Sequence, residues 1–334
     1  MPDQPSLKPV EQVLSGVIRR DAIEDMSGAV RNFFDLHAVQ LEPGPCHCQI
    51  DFIAAGNTFL YREHYPIRTQ LRGELLHNRF GVAIPETTHG LKFSGEEMDQ
   101  CRLASALTGE EMDVYAPNGL KQFVVLLDQA RLASLADEAG LPPEVQCAIR
   151  PGRSSMPLVA RPEAVAAFGL GMADYLQAAA AGQLRVSARD FEDWVYGQAL
   201  AILERQNVPP GRPPAAILVR RAVDLADAEH GLLRMAHLCS VLRVSPSTLQ
   251  HAFKTVTGVT PHAFFLRRRL NEARTTLLGA DGRERKVTEI ATGLGFTELG
   301  RFSVRYREMF GESPSQTLQK QISTTVPVAG RRNK

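Results

Sequence analysis

Residues 244–254 read VSPSTLQHAFK, and residues 297–307, 53 positions on, read TELGRFSVRYR. At that spacing Leu249, Phe253 and Val256 fall on Phe302, Tyr306 and Met309, while Gly258 and Pro261 fall on Gly311 and Pro314. Residues three and four apart share a helix face, so the buried side of one short helix is written twice. Upstream the spacing is 52, with Leu238, Cys239, Leu242 and Val244 matching Ile290, Ala291, Leu294 and Phe296. The second copy therefore has one extra residue in its turn. Each copy reads as a helix, a tight turn and a capped second helix, which is a helix-turn-helix. Ser245 is the expected cap and Pro246 the first helical residue of the first copy. The turn of the second copy holds Gly295 where the first holds Arg243, which predicts an arginine in a left-handed conformation at a cost of about 1 kcal/mol. Between the copies, HAFFLRRRLNEARTTLL puts Leu266, Leu270, Ala273 and Leu277 on one face of a connecting helix, with Arg267, Arg268, Arg269 and Arg274 around the rest.

Charge separates this repeat from what precedes it. The chain of 334 residues carries a net charge of only +1, but residues 215–334 hold 19 Lys and Arg against 10 Asp and Glu, and residues 1–214 hold 19 against 27. An acidic first part joined to a basic second part is the distribution of a protein in which one domain meets a polyanion. The proline-rich VPPGRPP, residues 208–214, lies at the division. No apolar run is long enough to span a bilayer, and MPDQPSLKPVEQ lacks the pattern of a secretory signal, so a cytoplasmic protein without a membrane partner is expected. Five scattered cysteines fit a reducing compartment.

The first part reads as β-rich. Segments such as CQIDFIAA, NTFLYRE, RFGVAIP and QFVVLLD are short, aromatic and β-branched, and are bounded by turn residues, so residues about 30–127 are expected to be mainly strand. Asp128 then caps a helix that ends near Gly140. A loop rich in Pro and Arg precedes helices expected over about 162–181 and 188–206. The last of these has Phe191, Val195, Gln198 and Ile202 on one face beside Trp194, a stripe that either packs on its own domain or meets a second copy.

The motifs LCSVLRVSPSTLQHAFKTVTGVTP, RRRLNEARTTLL and VTEIATGLGFTELGRFSVRYREMFGESPSQTL resemble the AraC/XylS family of bacterial transcription regulators over residues 217–319. The resemblance implies an α+β chain: a β-rich, cupin-like regulatory domain over 1–207 (barrel about 30–140, helical dimerisation or packing region about 162–206), a linker at 208–216, an all-α domain of two helix-turn-helix units at 217–319 and a flexible tail at 320–334. Cys239, Arg243 and Val304 depart from the family's usual Ala, Gly and basic residue. The resemblance further implies that each second helix enters a major groove of promoter DNA. Ser247, Gln250 and His251 of the first, and Gly300, Ser303 and Val304 of the second, are the expected base-reading positions. Lys254, Arg267, Arg268, Arg301, Arg305 and Arg307 are the expected phosphate contacts. A homodimer that engages RNA polymerase as an activator is implied, controlled by a small-molecule effector or by dimerisation through the N-terminal domain, with Phe52, Phe59, Tyr61 and Phe80 lining the effector pocket.

A metal-dependent cupin enzyme with an attached DNA module is the alternative. His37, His47, His64, His77 and His89 raise it, but no H-x-H with a following Glu appears, and Cys46 with Cys48 make only half a structural zinc site. Neither a G-x-S-x-G elbow nor a glycine-rich phosphate loop occurs. No catalytic residue, metal or cofactor is therefore expected.

Overall fold

The computed structural model describes residues 10–99, 102–109, 111–149, 157–203, 214–228, 235–279 and 286–325. They fall into two compact units, one of residues 1–38 and 46–217, the other of residues 39–45 and 218–334. In chain order the first comprises β1 (Val10–Arg20), α1 (Ile23–Val30), β2 (Phe34–Gln40), β3 (Cys48–Gly56), β4 (Thr58–Tyr65), β5 (Thr69–Leu75), β6 (Arg79–Pro85), the short β7 (Lys92–Phe93) and β8 (Glu96–Glu97), β9 (Arg102–Leu107), β10 (Glu111–Ala116), β11 (Leu120–Asp128), α2 (Gln129–Glu138), α3 (Pro143–Ile149), β12 (Pro157–Val159), α4 (Pro162–Ala180) and α5 (Ala188–Leu203). Gln40, the last residue of β2, is counted with the second unit.

Two sheets hold this unit together. One has seven strands in the order β1-β3-β4-β11-β6-β9-β12, all antiparallel, and the other five in the order β2-β5-β10-β7-β8. The larger sheet is covered on both faces, which explains why its central strands are apolar almost throughout rather than alternating. Along β11, Val124 and Leu126 join the core between the sheets, whereas Phe123, Val125 and Leu127 join a second core under α2, α4 and α5. Asp128 caps α2 as expected, accepting a 2.8 Å hydrogen bond from the Arg131 amide.

Several elements differ from the sequence expectation. β1 and α1 precede residue 30, and α3 and β12 occupy the region read as a loop. The stripe of α5 is resolved in favour of its own domain: Phe191, Val195 and Ile202 are buried in the core it shares with β3 and α4, and Trp194 packs against Phe168 and Tyr175. Residues 208–213 of the expected linker at 208–216, and residues 204–206 of the helix expected to end at 206, lie outside the described residues.

The second unit is helical: α6 (Pro214–Ala228, which crosses the division), α7 (Met235–Leu242), α8 (Pro246–Thr257), α9 (Pro261–Gly279), α10 (Val287–Gly293), α11 (Leu299–Phe310) and α12 (Pro314–Thr325). α12 runs six residues into the segment expected to be a flexible tail; residues 326–334 lie outside the described residues. The two turns sit where the repeat places them. Arg243 has φ +53° and Gly295 φ +76°, so the same left-handed step is taken once by a residue that tolerates it and once by one that resists it. Replacing Arg243 by Gly should raise the unfolding free energy of the full chain by about 0.5–1 kcal/mol, whereas Gly295→Ala should lower it by a similar amount. Denaturant midpoints of the two variants against the parent chain check both signs.

Candidate nucleic-acid interface and an internal cavity

In the first helix-turn-helix, α7 leads through Arg243 into α8, whose start is fixed by the Ser245 hydroxyl accepting a 3.1 Å bond from the Thr248 amide. Its end is set by Gly258 at φ +71°, whose amide reaches the Lys254 carbonyl. Leu249, Ala252, Phe253 and Val256 are buried, and the Phe253 ring lies 5.3 Å from Phe264 and 5.5 Å from Phe265 of α9. Rotation by 3.6 residues per turn then leaves Ser247, Gln250, His251 and Lys254 exposed together. The Ser247 hydroxyl lies 2.8 Å from that of Ser245, at the helix start.

The second unit repeats this with different surface chemistry. Phe302, Tyr306, Met309 and Phe310 of α11 are buried, and Gly311 ends the helix at φ +74° as Gly258 ends α8. Gly300, Arg301, Ser303, Val304, Arg305 and Arg307 are exposed, Val304 at 57%. Glu298 stands where Ser245 would be and makes no side-chain cap; it accepts a 2.9 Å bond from Arg301. The Ser303 hydroxyl donates to its own helix, to the Leu299 carbonyl at 3.0 Å. At the positions equivalent to Ser247, Gln250 and His251, α11 thus holds Gly300, Ser303 and Val304, which offer fewer side-chain hydrogen-bonding groups.

Besides Arg301 with its exposed Glu298 partner, two more of the expected phosphate contacts are engaged inside the unit. Arg267 donates to the Leu41 carbonyl and is half-buried, and Arg268 pairs with Asp227 at 2.8 Å. The sequence could not show this for Arg267, because its partner lies in residues 39–45, far away along the chain. There the Asn271 side chain exchanges two hydrogen bonds with the backbone of Gln40, at 2.9 and 3.1 Å. Arg274, expected on the outer face of α9, is buried: it pairs with Glu312 at 3.2 Å and lies over the Phe310 ring. Glu312 also accepts from Thr317, which in turn accepts from the Tyr306 hydroxyl, each at 2.9 Å. Burial lowers the pKa of Arg269, which stacks over Phe296 beside the charge of Arg305.

The first unit holds a small cavity between its two sheets, open at its mouth. Its origin is a patch of small residues. Gly81 faces Ala106 and Ala83 faces Ala104 across β6 and β9, and all four line the space. The lining is apolar apart from Tyr61, Glu63, Ser105 and Gln122, and among the described residues no Lys, Arg or His contributes to it. Glu63 and Gln122 are buried, with the Gln122 amide donating to Glu63 Oε1 at 2.5 Å. Burial pushes the Glu63 carboxyl up to about 7, against the opposing pull of hydrogen bonds from Gln122 and Tyr65.

Of the four aromatics expected around an effector, Tyr61 alone lines this cavity. Phe59 belongs to the surrounding core and Phe52 packs against it, but Phe80 faces the other way, into the core under the helices, because side chains alternate along β6 and Gly81 and Ala83 take the inward positions. Glu63 escaped the sequence reading although a signal was present: counting by two from Phe59 and Tyr61 puts it on the same inward face. Cys46 and Cys48 are buried with their sulfurs 2.9 Å apart, and no group of three or more His, Cys, Asp or Glu suited to a metal occurs among the described residues. None of the helices among the described residues is long and apolar enough to cross a membrane.

Two helix-turn-helix units sharing a connecting helix, with exposed second-helix faces on a basic segment, define a DNA-binding domain. A family model described as a helix-turn-helix domain matches residues 238–320. Over 88 residues the chain is 36% identical to the XylDLEGF operon transcriptional activator of Pseudomonas putida, covering 26% of this chain and 27% of that protein. It is 38% identical over 109 residues to a Rhodococcus erythropolis protein named "Probable thc operon regulatory protein", covering 32% and 33%. A solved AraC-type DNA-binding-domain regulator from Chromobacterium violaceum is 26% identical, covering 31% of this chain and 92% of that one, with a TM-score of 0.29. The matches thus span about a third or less of the two operon regulators. The similarity to these operon regulators lies in this helix-turn-helix domain.

The Glu63 carboxyl has a pH consequence. Its ordinary value is 4.5, so between about pH 4.5 and 7 the folded chain holds a proton that the unfolded chain has released, and stability falls as pH rises through that window. The phenols of Tyr61 and Tyr65 beside it are held well above their ordinary range and stay neutral there. Urea midpoints measured at about pH 5 and pH 8 should differ less in Glu63→Gln than in the parent chain.

Proposed function

We propose that the whole chain is a sequence-specific DNA-binding transcription regulator of the AraC/XylS type, controlled by a small-molecule effector in its β-rich unit or by dimerisation through that unit. Residues 1–207 are the regulatory part and residues 217–319 the DNA-binding part. The observation that carries this reading is the doubled surface of α8 and α11: equivalent faces are buried in both, so equivalent faces are left for DNA. The protein acts in the cytoplasm on double-stranded promoter DNA, as a homodimer that engages RNA polymerase. The Pseudomonas putida relative is an operon activator, which favours activation here and favours regulation over a metal-dependent enzyme.

α8 and α11 occupy successive major-groove segments about 10 bp apart. Gln250 pairs with adenine, His251 bonds guanine or a phosphate, and Ser247 adds a polar contact at the helix start. Lys254, Arg301, Arg305 and Arg307 hold phosphates, with Arg267 and Arg268 secondary because of their internal partners. Gly300 has no side chain, Ser303 bonds its own helix, and Val304 offers a methyl contact, so the second half-site is read chiefly through shape and phosphate position.

Systematic base substitution across the bound site, with affinity measured at fixed salt, tests the division. Strict positions should lie under α8, each costing about 1–3 kcal/mol when mismatched. Gln250→Ala should relax one of them and Val304→Ala should change specificity little. Equal penalties under α11 would overturn the asymmetric reading, and equal binding to random DNA would overturn sequence-specific regulation.

A further inference from the structure

This inference rests on the reading of the inter-sheet cavity as the effector site. We propose that the cavity takes a small organic amine, its single ring or short hydrocarbon body among the apolar walls and its ammonium group on the Glu63 carboxyl, which Gln122 orients.

Three observations converge on that chemistry. The polar end of the cavity is built around a carboxyl group: Glu63 is 5% exposed and Gln122 6%, and the 2.5 Å bond between them holds the carboxyl in one orientation. An acid in such surroundings is stabilised by a ligand that brings its own donors and positive charge. Among the described residues the lining supplies no cation, so a carboxylate ligand would be buried there without a counter-charge and beside an acid, which makes the cavity selective for a cationic ligand. Phe34, Tyr61 and Phe93 among the walls provide rings against which an ammonium or an aromatic body packs favourably.

Size narrows the class further. The space left by Gly81, Ala83, Ala104 and Ala106 is narrow, suited to one ring or a few branched carbons rather than a long acyl chain. Binding is an ion-pair formation with a defined proton inventory. Where Glu63 is protonated and the amine is already an ammonium ion, formation of the pair expels the Glu63 proton to solvent, one per ligand bound; where Glu63 is already ionised, none is released.

The test uses the full-length protein with three probes of similar shape, benzylamine, benzyl alcohol and benzoate, followed by calorimetry and thermal unfolding. Benzylamine should bind at least about tenfold more tightly than benzoate. Calorimetry in buffers of different ionisation enthalpy should show proton release at about pH 6 that disappears by about pH 8.5. Glu63→Gln should abolish the preference for the amine, and Ala106→Phe, which fills the space, should abolish binding. The proton measurement needs only the parent chain, so the inference stays open to refutation if either variant fails to fold. Benzoate or benzyl alcohol binding as tightly as benzylamine, or amine binding without proton release near pH 6, would overturn the amine assignment and leave the effector reading standing. Failure of all three probes to bind would overturn both.

Discussion

The helix-turn-helix units depend on one helix completing two cores. α9 gives Phe264 and Phe265 to the aromatic cluster around Phe253 at one end, and Leu270, Ala273 and Leu277 to the core of α10 and α11 at the other. A helix of 19 residues is about 28 Å long, of the same order as the ~34 Å turn of B-DNA. Because both second helices pack against this rod, their outward faces are set by its rigidity rather than by loops. Packing at both ends also consumes side chains that the sequence offers as surface. Arg274 and Asn271 turn inward, and Glu312, Thr317 and Tyr306 join Arg274 in a buried network that closes the second unit.

In the β-rich unit the governing constraint is a sheet buried on both faces. Helices cover one side and the smaller sheet the other, so each strand position has to be apolar or find a partner. Glu192 of α5, on the helical side, is likewise partnered, taking hydrogen bonds from the Asn57 amide and the Thr58 hydroxyl and a salt bridge from Arg131. Glu63 is of another kind. The donors that face it, Gln122 and Tyr65, are neutral, and its surroundings hold space where a larger side chain would otherwise fill the core. An acid kept in an apolar interior lowers stability, and it persists where the surrounding packing maintains it and a ligand relieves it.

What could be read from residue order alone was whatever short-range periodicity encodes. The repeat of Leu249, Phe253 and Val256 in Phe302, Tyr306 and Met309 specifies two equivalent helices and their buried faces. Ser245, Pro246, Gly258 and Gly311 specify their ends, and Arg243 against Gly295 specifies a shared left-handed turn. These features act over one or two helical turns, so they survive without knowledge of the fold. Tertiary structure decided the rest. Only the pairing of β6 with β9 brings Gly81 opposite Ala106 and Ala83 opposite Ala104 to open a cavity, and only the stacking of two sheets encloses Glu63 and Gln122 at its edge. Only folding brings residues 39–45 to α9, so that Arg267 and Asn271 turn from apparent surface groups into partners of backbone. The physical reason is common to all three: a side chain's burial and charge state depend on neighbours that packing supplies from distant parts of the chain, and local sequence pattern carries no record of them.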